Sequence, residues 1–580
     1  MTTERASSAE QNGEGEGNET GSPPRRVRYW QTPHVERIPA ADASFLYMEH
    51  PVVHMHVTGV LLLDPSTMPG GYSFERLRDL IAERLHLLRP FRRRVLTVPF
   101  GIDHPVWVDD PDFDLDHHLH RTTLPEPGTI DQLAALVGEY ASVQLDRSRP
   151  LWDMVVVEGM ADGTVAIVSK VHHVAVDGAS GTDLMAQLVD LSPEGPEEPP
   201  SAPPFRPDPL PNPVELAIDA VASRLSDPLR GLRSLGRSAG SVGRLLRTVV
   251  SGDDGPSMAR PFDAPRTLFN RSLTARRAVA FDKAPLEDLK LVKQTFGTTV
   301  NDVFLAACTQ SLRAYLLRRG ERHERPLVVS VPVSVRGEVA DSRATNQVSN
   351  MFVRLPVHLS DPVDQLRAIR ADTRDAKEVH GAIGADMIGD VTELTPPAIF
   401  HLASRMYSRA GLGERLAPIH NLVISNVPGP PFPLYVAGAR LVGVYPFGPL
   451  IEGSGLNITV LSNMGNMDIG VISCPDVVPD PGEVSTGIVE GIEVLRRAAV
   501  DELEARRPTA TRPSPSASRR RGVVRTADTM PGRPRSGATT PAAKKAAKKK
   551  APATSAAKKA TAKKATAQAA PTAGPREEGA

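Results

Sequence analysis

Cysteine is scarce in this sequence of 580 residues, which contains only Cys308 and Cys474. Two widely separated cysteines supply neither a disulfide framework nor a thiolate cage for a metal ion. A reducing compartment fits this usage, and the sequence therefore predicts a cytoplasmic protein.

Long apolar runs are also missing. No stretch reaches the roughly 18 apolar residues that a membrane-spanning helix needs. Residues 1–28 are rich in Glu, Gly, Ser and Asn and hold no apolar core of signal-peptide length. We therefore expect a protein that is not secreted and has no transmembrane helix, so that any contact with the inner membrane face or with lipid inclusions is peripheral.

The charge is balanced overall but unevenly distributed. Residues 511–580 contain nine Lys and eight Arg against three acidic residues, so this tail carries a charge of +14 and the rest of the chain is acidic. Lysine clusters separated by Ala and Pro are typical of disordered, low-complexity segments. Such a tail attracts phosphates regardless of sequence, which leaves anionic lipid, nucleic acid and acidic protein open as its partner.

The order of patterns along the chain predicts five segments. A disordered N-terminal segment over 1–35 precedes a first α/β half over 36–192. A Pro-rich linker and a basic amphipathic crossover follow over 193–265, and a second α/β half covers 266–500. A disordered Lys/Ala/Pro-rich tail occupies 501–580. The hydrophobic content of 40% is enough for a core in each half.

The crossover has an unusual composition, because leucines and arginines are interleaved over 229–247. One interpretation is a basic amphipathic segment that lies on anionic lipid. The other is a crossover helix whose arginines face water. The sequence favours neither.

Local periodicity predicts the main elements around the motifs. Leu133 and Val137 recur at helical spacing, and the Val- and Ile-rich runs 152–158 and 164–173 flank a short turn. These patterns predict a helix followed by a β-hairpin. In the second half, apolar residues between 305 and 316 predict one buried side of another helix.

The chemistry is concentrated in one motif at the end of the predicted hairpin, His172-His173-Val174-Ala175-Val176-Asp177-Gly178. Neighbouring residues on a strand point to opposite faces, so His172 and His173 cannot easily share a metal ion, and no metal site is predicted. The structural alternative is one core histidine, one surface histidine and an ordinary Asp-Gly turn.

The complete motif resembles the HHxxxDG signature of the CoA-dependent acyltransferase superfamily, which includes chloramphenicol and carnitine acyltransferases and peptide-synthetase condensation domains. Further segments are similar to those of the bacterial wax ester synthase/diacylglycerol acyltransferase family, and the resemblance covers about residues 36 to 497. These segments are Asp42–Leu46, Met55–Val57, Pro150–Trp152, Pro265–Thr267, Asn301–Val303, Pro332–Arg336 and Asn421–Pro430.

The resemblance implies an α/β fold of the α+β sandwich type. Two chloramphenicol-acetyltransferase-like halves, each a mixed sheet with flanking helices, would hold the histidine motif in a channel between them. Acyl-CoA would be a co-substrate, no cofactor would be needed, and the acceptor would be a lipid alcohol such as diacylglycerol or a long-chain alcohol. The expected activity is therefore triacylglycerol or wax ester synthesis.

The resemblance also implies roles for the motif residues. His173 would act as the general base, which suits the proton affinity of histidine near neutral pH, and His172 would support it. Asp177 would hold the site loop by pairing with an arginine, for which Arg336 is the candidate. Gly178 would allow a close backbone approach, although an ordinary turn glycine is the alternative.

The later blocks supply candidates for stabilising the tetrahedral oxyanion or supporting the site. Asn301, Asp302, Ser425 and Asn426 are these candidates. Helix or turn capping is an equally good explanation for them.

Three other functions have to be weighed. Gly236–Gly240 matches the GxSxG pattern of serine hydrolases, but no strand is predicted before it, so we reject that interpretation. A related transferase could acylate a polyketide or glycolipid alcohol through the same histidines. From another class, the protein could be a catalytically silent binder that acts through its basic tail on nucleic acid or membrane.

Overall fold

The computed structural model describes residues 35–176, 186–196, 205–226, 259, 263–334, 348–383, 402, 405–406 and 416–506. All of them lie within one compact unit. Asp177, Gly178, Arg336, Ser238, the arginine-rich part of the crossover and residues 1–34 and 507–580 lie outside the described residues. The first five residues of the predicted disordered tail, 501–505, are helical.

The described helices and strands of the first half and the crossover are β1 (Glu36–Arg37), α1 (Ala40–Met48), β2 (His56–Asp64), α2 (Phe74–Arg84), β3 (Arg93–Leu96), β4 (Val106–Asp109), β5 (Leu119–Thr123), α3 (Ile130–Ala141), β6 (Trp152–Glu158), β7 (Val165–His172) and α4 (Pro213–Ser226). The helix and the hairpin predicted before the histidines are confirmed as α3 and the antiparallel pair β6–β7. The helix α4 lies within the predicted Pro-rich linker and crossover.

The described helices and strands of the second half are β8 (Ala278–Pro285), α5 (Leu286–Phe296), α6 (Val300–Arg318), β9 (Leu327–Ser334), β10 (Val348–Leu355), α7 (Pro362–Ile383), β11 (Leu422–Val427), β12 (Tyr435–Val436), β13 (Ala439–Phe447), β14 (Leu456–Asn463), β15 (Asn466–Ser473) and α8 (Pro481–Ala505). The helix predicted from the pattern at 305–316 is confirmed as α6.

The strands form two six-stranded sheets and a small three-stranded one. The first sheet has the order β12-β13-β2-β7-β6-β5, the second has the order β10-β9-β11-β14-β15-β8, and the small sheet is β1-β4-β3. Both large sheets are mixed, because β5 runs parallel to β6 and β11 runs parallel to both β9 and β14. Two mixed sheets with flanking helices are the architecture that the resemblance implied.

Two strands from late in the sequence complete the first sheet. Strand β13 pairs antiparallel with β2, with Phe447 opposite Thr58 and Arg440 opposite Asp64. The last pair is also an ion pair, with Arg440 Nη2 3.1 Å from Asp64 Oδ2. The first sheet therefore draws on both parts of the chain, and the segment boundary near residue 265 stays a prediction from sequence.

The helices α3 and α6 each begin with a side-chain capping box. At the start of α3, the Thr129 hydroxyl accepts a hydrogen bond from the backbone amide of Gln132, and the backbone amide of Thr129 donates to the Gln132 side chain. Thr299 and Asp302 make the same reciprocal arrangement at the start of α6. Such a capping box satisfies two of the backbone N–H groups that every helix leaves unpaired at its start.

The largest hydrophobic core contains residues of both six-stranded sheets and of the helices α3, α5, α6, α7 and α8. Helix α6 is buried nearly all round, and Phe304 has no exposed surface. It packs closely on α8, because a Cβ on Gly491 would lie 2.9 Å from the carbonyl oxygen of Ala307. Burying one such phenylalanine contributes about 1.5–3 kcal/mol. No helix among the described residues is both long and apolar enough to span a bilayer.

Candidate active site

The two adjacent histidines stand where β7 ends. His172 is the last residue of the strand and pairs with His56 on β2. A turn follows directly, closed by the Ala175 amide, which donates to the carbonyl of His172 at 2.9 Å. His172 is fully buried and His173 is half-buried. The two neighbouring side chains differ in burial, but β7 ends at His172 and His173 lies in the turn, so the predicted placement on opposite faces of a strand does not apply to the pair.

His173 is held from two sides. Its backbone amide donates to the carbonyl of Met55 at 2.7 Å. Its ring stacks on Phe45 of α1, with centroids 4.2 Å apart and planes inclined by 15°. Two of the segments that resemble the family, 42–46 and 55–57, are thereby brought to the histidine. The direct contact with Phe45 was not predicted from the sequence.

His172 is surrounded by fixed partners. Its Nδ1 atom accepts a hydrogen bond of 3.0 Å from the amide of Val174. Its Nε2 atom lies 3.6 Å from Oε2 of Glu49, which is longer than a hydrogen bond and is an electrostatic contact. The same Oε2 accepts from Nε of Arg147 at 2.6 Å. The sequence analysis missed both Glu49 and Arg147.

The ionisation of this pair follows from its surroundings. Burial alone would raise the pKa of Glu49, but His172 and Arg147 together hold that pKa below its usual value. Burial lowers the pKa of His172, and the nearby Glu49 offsets only part of this. The carboxylate is therefore charged and the imidazole neutral near neutral pH.

Three more basic side chains gather at the C-terminal end of α3. His54 Nδ1 and His56 Nε2 lie 3.3 Å and 3.1 Å from the carbonyl oxygen of Ala141. Lys170 Nζ donates to the carbonyls of Tyr140 and Val143 at 3.1 Å and 2.9 Å. Burial lowers the pKa of Lys170 to about 8. Donors at this position satisfy carbonyls that a helix leaves unpaired at its end.

The candidates from the second half meet where α6 begins. Asn426 Nδ2, near the end of β11, donates to Asn301 Oδ1 at 3.4 Å. Ser425 precedes it and lies opposite Thr459 of β14. Asp302 is buried, caps its helix, and accepts from Thr373 Oγ1 at 2.7 Å, so its geometry is that of a structural residue. As an acceptor it cannot itself stabilise an oxyanion.

Two of the other family-like segments join in a buried amide network. Asn421 Nδ2 donates to the carbonyl of Pro265 at 2.6 Å and to Oδ1 of Asn270 at 2.8 Å. Asn421 Oδ1 accepts from the amide of Val328 at 2.8 Å. Asn270 was missed in the sequence, because an isolated polar residue in a loop gives no local signal. The network ties the segment after the crossover to β9 and β11.

Trp152, from the Pro-Leu-Trp segment, has a packing role. It is buried, donates from Nε1 to the carbonyl of Phe91 at 2.8 Å and stacks on the Phe91 ring at 4.5 Å. Among the residues that the structure describes, no three His, Cys, Asp or Glu side chains are grouped so as to hold a metal ion.

Family models match most of this chain. Residues 38–304 match the wax ester synthase/diacylglycerol acyltransferase catalytic domain, and residues 344–496 match the C-terminal domain of the same family. The chain belongs to this family. The resemblance found in the sequence is thereby confirmed. In this acyltransferase the two histidines of the motif stand where β7 ends.

Relatives and a solved structure agree with the assignment. A provisionally named diacylglycerol O-acyltransferase of Mycobacterium tuberculosis strain H37Rv is 39% identical over 471 residues, which are 81% of this chain and 92% of the relative. A second from that strain is 36% identical over 474 residues, covering 80% and 97%. The solved wax ester synthase/diacylglycerol acyltransferase from Marinobacter aquaeolei VT8 is 28% identical, covers 80% of this chain and 100% of its own, and gives a TM-score of 0.57. The predicted fold class is thereby confirmed.

Proposed function

We propose that this acyltransferase moves a long-chain acyl group from acyl-CoA to the hydroxyl of diacylglycerol or of a long-chain alcohol, giving triacylglycerol or wax ester. The observation that carries the proposal is the fixed position of His173 directly after β7. Its ring stacks on Phe45, and its backbone amide donates to the carbonyl of Met55. The names of the relatives support the same acceptors.

In the proposed mechanism, His173 takes the proton of the acceptor hydroxyl as its oxygen attacks the thioester carbonyl. The tetrahedral oxyanion then collapses, the carbon–sulfur bond breaks, and the leaving sulfur takes the proton from the imidazolium. The products are an ester and free CoA thiol, with no covalent enzyme intermediate and no cofactor. Stacking on Phe45 fixes the plane of the base before substrate arrives, which is the kind of preorganisation that acid–base catalysis requires.

For the oxyanion we assign Asn426 as donor and Asn301 as the residue that orients it. The amide of Asn426 has two N–H groups, and its contact with Asn301 Oδ1 occupies one of them. The other is then available to a developing charge, where a preorganised donor has its largest effect. Asp177 and Gly178 are proposed to shape the loop after His173, with Arg336 as the ionic partner of Asp177.

Because the substrates are lipids, the protein has to contact a lipid surface. Helix α4 presents an exposed apolar stripe. Val214, Ile218 and Val221 lie on successive turns and are 66%, 64% and 45% exposed. The sequence after α4 continues with leucines and five arginines between 230 and 247. We propose that this exposed stripe of α4, together with the basic sequence after it, binds an anionic lipid surface peripherally.

The first experiment measures CoA thiol release by the purified protein with palmitoyl-CoA and either dioleoylglycerol or hexadecanol, and separates the lipid products. The His173→Ala and His173→Gln variants are assayed beside the wild type. Release that needs an acceptor and disappears in both variants supports the transferase and names its alcohol. Release without an acceptor would indicate a thioesterase instead.

Absence of CoA release with these acceptors and with glycolipid alcohols would overturn the enzyme assignment in favour of the binding hypothesis. Deleting residues 511–580 separates the two further. The transferase proposal expects activity to survive the deletion, whereas a protein that works through its basic tail would lose its function.

A further inference from the structure

One turn of chain at the end of α1 contacts both histidines of the motif. Phe45 stacks on His173, and Glu49, one helical turn later, faces His172. The Glu49 amide donates to the carbonyl of Phe45 at 3.1 Å, so the two residues are fixed relative to each other. A change at Glu49 therefore reaches the motif by two routes, through His172 and through the end of the helix.

The hydrogen bonds of His172 determine its tautomer. Since Nδ1 accepts from the Val174 amide, it carries no proton. The proton of the neutral ring must then be on Nε2, the atom that faces Glu49 Oε2 at 3.6 Å. A carboxylate beside Nε2 stabilises this tautomer. In the opposite tautomer, the Nδ1–H group of His172 would face the N–H group of Val174, and the hydrogen bond between them would be lost.

Arg147 keeps the carboxylate in place. It donates to Glu49 Oε2 at 2.6 Å and to the carbonyl of Leu46, near the end of α1, at 2.8 Å. The Glu49 side chain is almost fully buried while that of Arg147 is partly exposed. A buried carboxylate without its cation would be costly, so the pair acts as a unit.

We propose that Glu49 and Arg147 are positioning residues for acyl transfer: they fix the tautomer of His172, which holds the Val174 amide and with it the turn that carries His173. This inference rests on the proposed role of His173 as the base. Glu49 faces His172, and Arg147 donates to Glu49 and to the carbonyl of Leu46. Their effect reaches His173 through the backbone on either side of it, and a small displacement of the base lowers the rate of catalysis strongly.

The test compares Glu49→Gln with a matched control, Asp190→Asn. Asp190 is also a largely buried carboxylate paired with an arginine, since its Oδ1 lies 2.6 Å from Arg84 Nη2. Both substitutions replace a carboxylate with an amide of the same shape. We expect Glu49→Gln to lower kcat by about 10- to 100-fold with the KM for palmitoyl-CoA changed by less than about threefold. Asp190→Asn should keep the wild-type kcat.

A second readout does not depend on activity. In protein labelled with nitrogen-15 at histidine, the ring nitrogens of His172, assigned by their loss in His172→Gln, should show the Nε2-protonated tautomer in the wild type and in Asp190→Asn. In Glu49→Gln this signal should shift towards a mixture of tautomers. Arg147→Lys, which keeps the positive charge, should retain more activity than Arg147→Met.

An unchanged kcat and an unchanged His172 spectrum in Glu49→Gln would overturn the proposal. Equal losses of kcat in Glu49→Gln and Asp190→Asn would overturn it too, because they would indicate a general loss of structure. If the wild type releases no CoA with any acceptor, the function proposed above fails, while the histidine spectra still decide whether Glu49 fixes the tautomer.

Discussion

Phe45 and His173 stack almost face to face, with ring centroids 4.2 Å apart. The contact predicts that Phe45→Leu, which keeps apolar volume but removes the aromatic plane, lowers kcat by about tenfold because the base is no longer held in one orientation. The loss of unfolding free energy should be about 1 kcal/mol. Steady-state CoA release and thermal melting measure the two effects.

The chain offers a matched control for this change. Phe113 also stacks on a histidine, His118, at 5.5 Å and 10°. Phe113→Leu should lose similar stability and keep full activity. Equal activity in the two leucine variants would contradict the role assigned to Phe45.

Burial of His420 predicts a dependence of stability on pH. Burial lowers its pKa from 6.5 to about 4, and within the described residues neither ring nitrogen has a hydrogen-bond partner. The unfolded chain therefore binds this proton more readily than the folded one. The stability that the neutral ring contributes is complete above the unfolded pKa of 6.5 and is lost as pH falls from there towards 4.

The size of the effect can be measured by urea unfolding. On acidification from about pH 7 to about pH 5, the wild type should lose on the order of 2 kcal/mol through His420. His420→Phe should lose less over the same interval, because its ring does not titrate. Identical pH profiles for the two proteins would show that His420 is not buried as a neutral ring.

The buried network around Asn270 predicts a large cost for its removal. Asn270 Nδ2 donates to the carbonyls of His420 and Gly453 at 3.1 Å and 2.8 Å, and its Oδ1 accepts from Asn421. Asn270→Ala leaves several buried groups unpaired and should reduce the unfolding free energy by about 2–4 kcal/mol. Asn212→Ala, which removes an exposed cap of α4, should cost about 1 kcal/mol. Denaturant unfolding ranks the two, and the reverse order would refute this account.

The exposed stripe of α4 predicts binding to anionic vesicles. Replacing Val214 and Ile218 with glutamine should reduce co-sedimentation with phosphatidylglycerol vesicles, while CoA release with detergent-dispersed substrates stays unchanged. Replacing Val494 and Leu503, which are 40% and 41% exposed on α8, with glutamine is the control and should leave vesicle binding intact. Equal binding by both double variants would exclude α4 as the lipid-binding face.

The local parts of this molecule could be predicted from the sequence. Helix α3, the β6–β7 hairpin and the buried side of α6 follow from the spacing of apolar residues, which depends only on near neighbours. The histidine pair was found because its residues are adjacent in the chain and complete a recognisable motif. The strand-face argument made for the pair does not hold, because β7 ends at His172 and His173 lies in the turn.

The surroundings of the motif could not be predicted in the same way. Glu49 and Arg147 are separated by 98 positions, and each alone resembles an ordinary charged residue near a loop. Lys170 looks like a polar residue on a strand face, and only the fold shows that it reaches the end of α3. Contacts between residues so far apart in the sequence are determined by tertiary packing, and the local spacing of apolar residues carries no information about them.

The pairing of β13 with β2 has a consequence for how the protein is made. During synthesis, β2 leaves the ribosome early, but its partner is complete only when Phe447 has been added. Until then one edge of the first sheet is open, and an open apolar edge is prone to pair with other chains. Fragments that end before β12 are therefore expected to aggregate. The histidine turn, which donates to the carbonyl of Met55 directly before β2, reaches its final form only after most of the chain has been translated.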